Sequence, residues 1–317
     1  MTYHQITSEE RYTLGVLRQQ GLTPAAIGRA LGRHRSTISR EVRRNQAHSD
    51  GTYRPQLADW YARGRRSRSR RNQRFGPAEW ARVAARVQED WSPEQIAGRL
   101  RRSGELRISH ETIYRYLWAD KAAGGTLHRH LRGARKQRRK RYGRYDSRGR
   151  LAGKRLITER PAVVEARTQL GHWEGDTMLG DSQAGPCVLS LVERQTGYLL
   201  LGQLQRRATA AVNQRARQLI DAQPHPVRTI TVDNGTEFHD YAALERGRPT
   251  RFYFATPHHA WERGTNENTN GLLRQYLPKR QSMAHLTQHD CNRIALKLNR
   301  RPRKRLGYRT PEECYVP

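Results

Sequence analysis

At 317 residues the chain exceeds the roughly 250 over which a single core usually grows, so two or three domains are expected. Three cysteines (Cys187, Cys291 and Cys314) with no CxxC spacing exclude a disulfide framework and a zinc site. No apolar run approaches the roughly 20 residues needed to span a bilayer, and MTYHQITSEERY is no signal peptide, so a soluble, cytoplasmic protein without a membrane partner is expected. The 60 Lys and Arg against 29 Asp and Glu give a formal charge of +31, which attracts polyphosphate and predicts salt-sensitive binding of nucleic acid. Residues 1 to 160 hold 38 basic and 14 acidic side chains, and residues 161 to 317 hold 22 and 15. The front half is the candidate for holding DNA, the back half for reacting with it.

In chain order, TSEE supplies a capping box (Thr7, Glu10) for a first helix over 7 to 20 that Gly21 stops. Thr23 and Pro24 then start a second helix with Ile27 and Leu31 on one face. A third runs near Arg35 to Arg44, with Ile38 and Val42 inward and Arg35, Ser36, Ser39, Arg40 and Arg43 outward. This is a helix-turn-helix pattern, whose last helix reads base edges in a major groove. The frame recurs: TPAAIGRAL at 23 to 31 and SPEQIAGRL at 92 to 100 are each followed by a Thr-Ile pair. In the second copy Ser109 caps a helix carrying Ile113 and Leu117 inward and His110, Thr112 and Arg115 outward. Short amphipathic helices with outward arginines are common, but two copies in so basic a segment favour DNA reading.

The basic runs at 62 to 74 and 132 to 150 have too few apolar residues for a core, and are expected to stay unstructured until phosphates neutralise them. Such runs add affinity but little discrimination. The predicted domains are a first helix-turn-helix module at 1–60, a second at 61–131, a basic linker at 132–160 and a catalytic domain at 161–317.

From about residue 160 the pattern changes. HWEGDTML reads as a strand, CVLSLVER and TGYLLLGQL as a hairpin turning near Gln195 to Gly197, and ATAAVNQRARQLIDAQ as a helix. RTITV is a buried strand, EFHDYAALERG a short helix, RFYFA a strand, and two helices cover about 264 to 276 and 286 to 299. That order predicts all-α helix-turn-helix modules followed by an α/β ribonuclease H-like catalytic domain.

In such a sheet the first and fourth strands are neighbours, so Asp176 and Asp233 meet at strand ends and a helix brings Glu267. Carboxylates held that close repel, which makes a divalent cation the natural occupant, and oxygen-only ligands suit Mg²⁺ or Mn²⁺. Plainer readings stand beside this one. Asp233 opens Asp-Asn-Gly, a turn signal; Glu267 favours a helix dipole; and Glu174, two residues before Asp176, shares its strand face. Asn234, Asn266, Asn268 and Asn270 offer amides to orient metal-bound waters, or a helix cap. Asn270, Gly271 and Arg274 fall on the Glu267 face, where Gly271 lets a DNA backbone approach and Arg274 can hold a phosphate. Trp173 and Trp261 read as packing residues rather than stacking platforms.

WEGD, TVDNGTEF, WERGTNENTNGLLRQYLPK and LNRRPRKRLGYRTPEE together resemble the IS-thirty-type insertion-sequence transposases, over nearly the whole chain. The resemblance implies an Asp-Asp-Glu triad at Asp176, Asp233 and Glu267, the last pair separated by 33 residues as is typical of the family. It further implies two Mg²⁺ or Mn²⁺ ions, cleavage at a transposon end followed by attack of the freed 3′-hydroxyl on another phosphodiester, joined ends or a circular intermediate, and recognition of terminal inverted repeats by the N-terminal modules. A homodimer or larger assembly on DNA is also implied. PHHAW at 257 to 261 departs from the family pattern, so His258 and His259 are candidates for tuning contacts near the site. Two rival functions are a DNA-binding regulator with an inactive ribonuclease H-like half, which predicts a damaged triad, and a structure-specific nuclease, which has no need of two base-reading modules.

Overall fold

The computed structural model describes residues 4–69, 74–133, 153–182, 185–256 and 260–316, leaving aside the side chains of residues 260 and 261. By internal contacts it divides into two units, Met1–Trp80 and Ala81–Pro317.

The first unit is helical. α1 (Ser8–Gln19) starts at the expected capping box, with Thr7 Oγ1 accepting from the Glu10 N–H and Glu10 accepting from the Thr7 N–H. α2 (Pro24–Ala30) is capped by Thr23, and α3 (Arg35–Asn45) buries Ile38 and Val42. α4 (Pro55–Arg68) completes the core of Ile6, Leu14, Ile27, Ile38, Val42, Tyr53 and Ala58. The first module therefore extends past residue 60. The run at 62 to 74, expected to lack structure, is helical as far as Arg68 because α4 packs on α1 and α3. Arg65 also donates to the Arg44 carbonyl and to Asn45 Oδ1 at the end of α3. Arg11, buried, ties three helices through Glu41 at 2.7 Å and Asp59 at 3.1 Å. At Gly15 a Cβ would stand 2.5 Å from Pro55 Cγ, so the approach of α4 to α1 requires glycine.

In the second unit α5 (Pro77–Gln88), whose start lies at the division, precedes the repeated frame. α6 (Pro93–Arg102) has a Ser92/Gln95 capping box, and α7 (His110–Ala122) is capped by Ser109 with Ile113 and Leu117 buried. The expected linker falls mostly on residues 134–152, outside the described residues. After α8 (Ala162–Ala166) come β1 (His172–Leu179), β2 (Cys187–Glu193) and β3 (Leu199–Leu204). They are followed by α9 (Thr209–Asp221), β4 (Thr229–Val232), α10 (Tyr241–Glu245) and β5 (Arg251–Phe254). The single short helix expected over EFHDYAALERG is split into a 3-10 turn, Thr236–Phe238, and α10. α11 (Gly264–Leu273), α12 (Gln288–Asn299) and α13 (Pro311–Tyr315) close the chain.

The sheet order is β3-β2-β1-β4-β5, with β1 antiparallel to β2 and parallel to β4. Side-chain alternation gives each strand two faces. Trp173, Leu189, Leu191, Ile230 and Phe252 pack with Val212, Ala216 and Ile220 of α9. On the other face Met178, Val188, Val192 and Leu199 pack with Leu272 and Leu273 of α11 and Cys291, Ile294 and Leu298 of α12. This mixed sheet between helices is the ribonuclease H-like arrangement. Trp173 is buried edge-on against Tyr315, a packing residue as expected. Among the described residues no helix is long and apolar enough to cross a membrane.

Candidate active site

β1 and β4 pair in parallel from His172↔Thr229 to Glu174↔Thr231, which sets Asp176, further along β1, beside Asp233 at the exit of β4. Both are partly shielded and face one guanidinium: Arg263 Nη1 is 3.6 Å from Asp176 Oδ1, and Arg263 Nη2 is 3.6 Å from Asp233 Oδ2. Arg263 also donates to the Gly175 carbonyl at 3.3 Å, which anchors it to β1. Asp176 accepts from the Thr177 N–H at 3.0 Å and from Asn270 Nδ2 at 2.6 Å. Burial pushes its carboxyl above the ordinary value and Asp233 adds to this, against the opposing pull of Arg263 and Asn270. Asp233 Oδ1 accepts from the Gly235 N–H at 2.9 Å, so Asp233 makes the turn contact its Asp-Asn-Gly motif announces while its other oxygen faces Arg263.

Glu174 is not part of this cluster. Although it shares the strand face, its carboxylate is fully buried, accepting from Arg194 Nη1 at 2.7 Å and from the Asn266 N–H at 2.8 Å. Arg194 in turn meets Glu165, which meets Arg160. Glu174 thus ties the first turn of α11 to β1.

The third acid is placed differently from the expectation. Glu267 lies exposed on the first turn of α11, and no hydrogen bond or ion pair joins it to the aspartate pair. Asn270, three residues on, makes the contact to Asp176 instead. Among the described residues no group of three His, Cys, Asp or Glu is gathered for a metal ion. The donor set nevertheless fits a hard cation. Two carboxylates already flank one positive group, and Asn270 Oδ1 is buried without a partner beside them.

Nor does an asparagine cap α11, whose N-cap is Arg263 without a side-chain cap bond. Asn266 is buried with neither side-chain polar atom bonded, Asn268 is exposed, and Asn234 donates to the Ala255 carbonyl and accepts from Lys154. Arg274 donates to the Leu179 and Leu277 carbonyls, so that nitrogen holds the end of β1. The space beside Gly271, expected to admit a DNA backbone, is taken by the Arg132 guanidinium. His258, His259 and the Trp261 side chain lie outside the described residues.

Sequence reasoning missed two neighbours of the aspartates. Arg263 stands inside the quoted motif WERGTNEN but received no role. Glu237 of NGTEF is buried, accepts from Thr177 Oγ1 at 2.5 Å and crowds the same side of Gly235 as Asp233. Its signal was a carboxylate four residues after Asp233, hidden inside a stretch read only as helix.

The outward residues of α3 and α7 are where the periodicity puts them. Arg35, Ser36, Ser39, Arg40 and Arg43 line one open groove with Thr23, Pro24 and Ala25, and Arg40 folds back onto Ser36. On α7 His110 and Arg115 are exposed, and Thr112 shares a 2.8 Å hydroxyl bond with Ser109.

A helix-turn-helix domain family matches residues 2–45, and a homeodomain-like domain family matches residues 37–117. The transposase for insertion sequence element IS4351 of Bacteroides fragilis is 39% identical over 98% of this chain and 95% of its own length. The chain belongs to the IS30-type insertion-sequence transposases. Transposase InsI for insertion sequence element IS30A of Escherichia coli strain K12 is 34% identical over 97% of this chain and 82% of its own. A crystal structure of the catalytic core domain of BIV integrase, 17% identical, matches 46% of this chain and 93% of its own with a TM-score of 0.35. The strand order above, rather than that match, carries the fold assignment. Membership makes this a nucleic-acid-processing enzyme with N-terminal DNA-binding modules.

Proposed function

We propose that the protein binds the terminal inverted repeats of an insertion sequence and catalyses metal-dependent strand cleavage and strand transfer. The observation that carries this reading is the meeting of Asp176 and Asp233 at the β1–β4 junction, both facing one positive charge. Asp176, Asp233 and Glu267 are the proposed triad and would hold two Mg²⁺ or Mn²⁺ ions. When bound, these would activate the attacking oxygen and stabilise the leaving oxygen of an in-line displacement at phosphorus. The carboxylates belong to three separate elements, of which β1 and β4 bring the two aspartates together, and Glu267 would join them when the metal ions bind. Glu174 holds α11, and with it Glu267, against β1. Arg263, between the two aspartates, balances their charge and is within reach of a phosphate brought to them.

The same site serves both steps, because water and a 3′-hydroxyl are equivalent nucleophiles toward a phosphodiester. The outward faces of α3 and α7 would select the ends, and pairing two ends calls for a dimer or larger assembly. The expected locality is the bacterial cytoplasm, on the nucleoid. Incubating the full chain and Mg²⁺ with a labelled element end and a target duplex tests the reading. Joined product supports a transposase, cleavage without joining indicates a nuclease, and binding without reaction indicates a regulator.

A further inference from the structure

The second reading module is fastened to the catalytic domain at both ends of α6. Just before α6, Asp90 adopts a left-handed backbone with φ of 64°, unusual for a residue with a side chain. Its shielded carboxylate accepts from Tyr276 Oη at 2.9 Å and Lys297 Nζ at 3.1 Å, and shares a 3.0 Å hydrogen bond with His130 Nδ1. His130 sits in the 3-10 turn Leu127–His130 that follows α7, while Tyr276 and Lys297 come from just after α11 and from α12. One carboxylate thus joins the start of α6, the turn after α7 and the catalytic helices.

The second joint lies at the other end of α6. Arg99 forks onto Glu313 at 2.8 and 2.5 Å, and Arg102 donates to the Gly307 carbonyl at 3.2 Å. Tyr308, also left-handed with φ of 63°, lays its ring where a Cβ on Gly98 would have to stand. A forked arginine–carboxylate pair fixes direction as well as distance. The exposed pair Lys304–Glu94 at 2.7 Å adds little by itself. These residues account for the C-terminal LNRRPRKRLGYRTPEE, which the proposed chemistry leaves unused.

We infer that this C-terminal segment is the mounting of the second module, with Asp90, Arg99 and Glu313 as positioning residues. It fixes α7 relative to the aspartate pair within one chain, so the base pairs that α7 reads set where the strand is cut. The inference rests on the proposed end-cleaving activity.

Two full-length variants loosen the mounting by different routes. Arg99→Glu reverses one charge of the fork; Gly98→Leu wedges against Tyr308 while improving the helix propensity of α6 itself. Three quantities are compared with the unmodified chain: hydrogen exchange over residues 304–313, affinity for an end duplex, and the position and rate of cutting mapped to the nucleotide. Both variants should exchange faster over that segment and bind the end within about threefold. Both should cut about a hundredfold more slowly and at scattered positions, the usual scale of loss when reacting groups are misplaced by about 1 Å. Unchanged exchange in both variants would overturn the mounting. Loosened variants that cut at the normal place and rate, or that lose end binding in step with cutting, would overturn its positioning role. If the unmodified chain cuts no end at all, the functional reading fails, while the exchange result still judges the mounting.

Discussion

Glu174 and Arg194 form an ion pair sealed from solvent, 0% and 2% exposed, with the carboxylate also holding the Asn266 N–H of α11. The two acids of WEGD therefore have different tasks, although their spacing places them on one strand face. Breaking a buried pair from one side costs about 3–5 kcal/mol, so Glu174→Ala should lower the unfolding free energy by that order. Glu174→Gln keeps an acceptor for Asn266 and should retain Mn²⁺ affinity, measured by titration calorimetry, whereas Asp176→Asn should lose it. Equal losses in the two variants would make Glu174 a ligand.

Arg11 predicts a second stability effect, confined to the first unit. It is buried between Glu41 and Asp59, so Arg11→Ala removes the cation these two shielded carboxylates share, while Glu41 keeps the Tyr53 hydroxyl and Asp59 keeps Arg63. A loss of about 3–5 kcal/mol is expected in denaturant unfolding of that unit. A change near zero would show that the three helices need no such tie.

Arg35 lies on the outer face of α3 in the groove shared with Ser36, Ser39 and Arg43. If it reads a base, Arg35→Ala should weaken binding to the cognate end by about 1–3 kcal/mol and binding to random DNA by less. Equal losses in a competition assay would make it a phosphate contact.

Glu313 supplies a pH test of the mounting. The hydrogen bonds from Arg99 outweigh burial and, with the Thr310 cap, hold its carboxyl down to about 2, against an ordinary 4.5. A depressed carboxylate contributes stability that is full above its unfolded value and is lost as pH falls through the folded one. The contribution of Glu313 should therefore fade from about 4.5 toward 2. In Arg99→Ala its titration midpoint, followed by carboxyl NMR shifts, should rise, but only partly, because the Thr310 N–H still donates to it. An unmoved midpoint would show that the fork does not persist in solution.

The local signals were legible in the sequence where they are chemical and short in range. The capping residues Thr7, Thr23 and Ser109 all cap the helices they announce. The apolar runs give the five strands, and their order brings Asp176 to Asp233. Four features were hidden because they depend on partners far along the chain. α4 looks too basic to fold until Ala58 packs in the core with Leu14. Glu237 and Arg263 gain meaning only beside the aspartates. Asp90 gains its role only when Tyr276 and Lys297 reach it. Glu267 is the reverse case: the family resemblance marks it, yet in the folded chain Asn270 touches Asp176.

Cutting of a labelled element end by Asp233→Asn, with end binding measured on the same preparation, tests the proposed site most directly. The variant should bind like the unmodified protein and show no cleavage above background, because the role proposed for Asp233 is in the metal-assisted displacement and not in the helices proposed to read DNA. Cleavage at the normal rate would contradict the assignment and remove the aspartate pair from the chemistry.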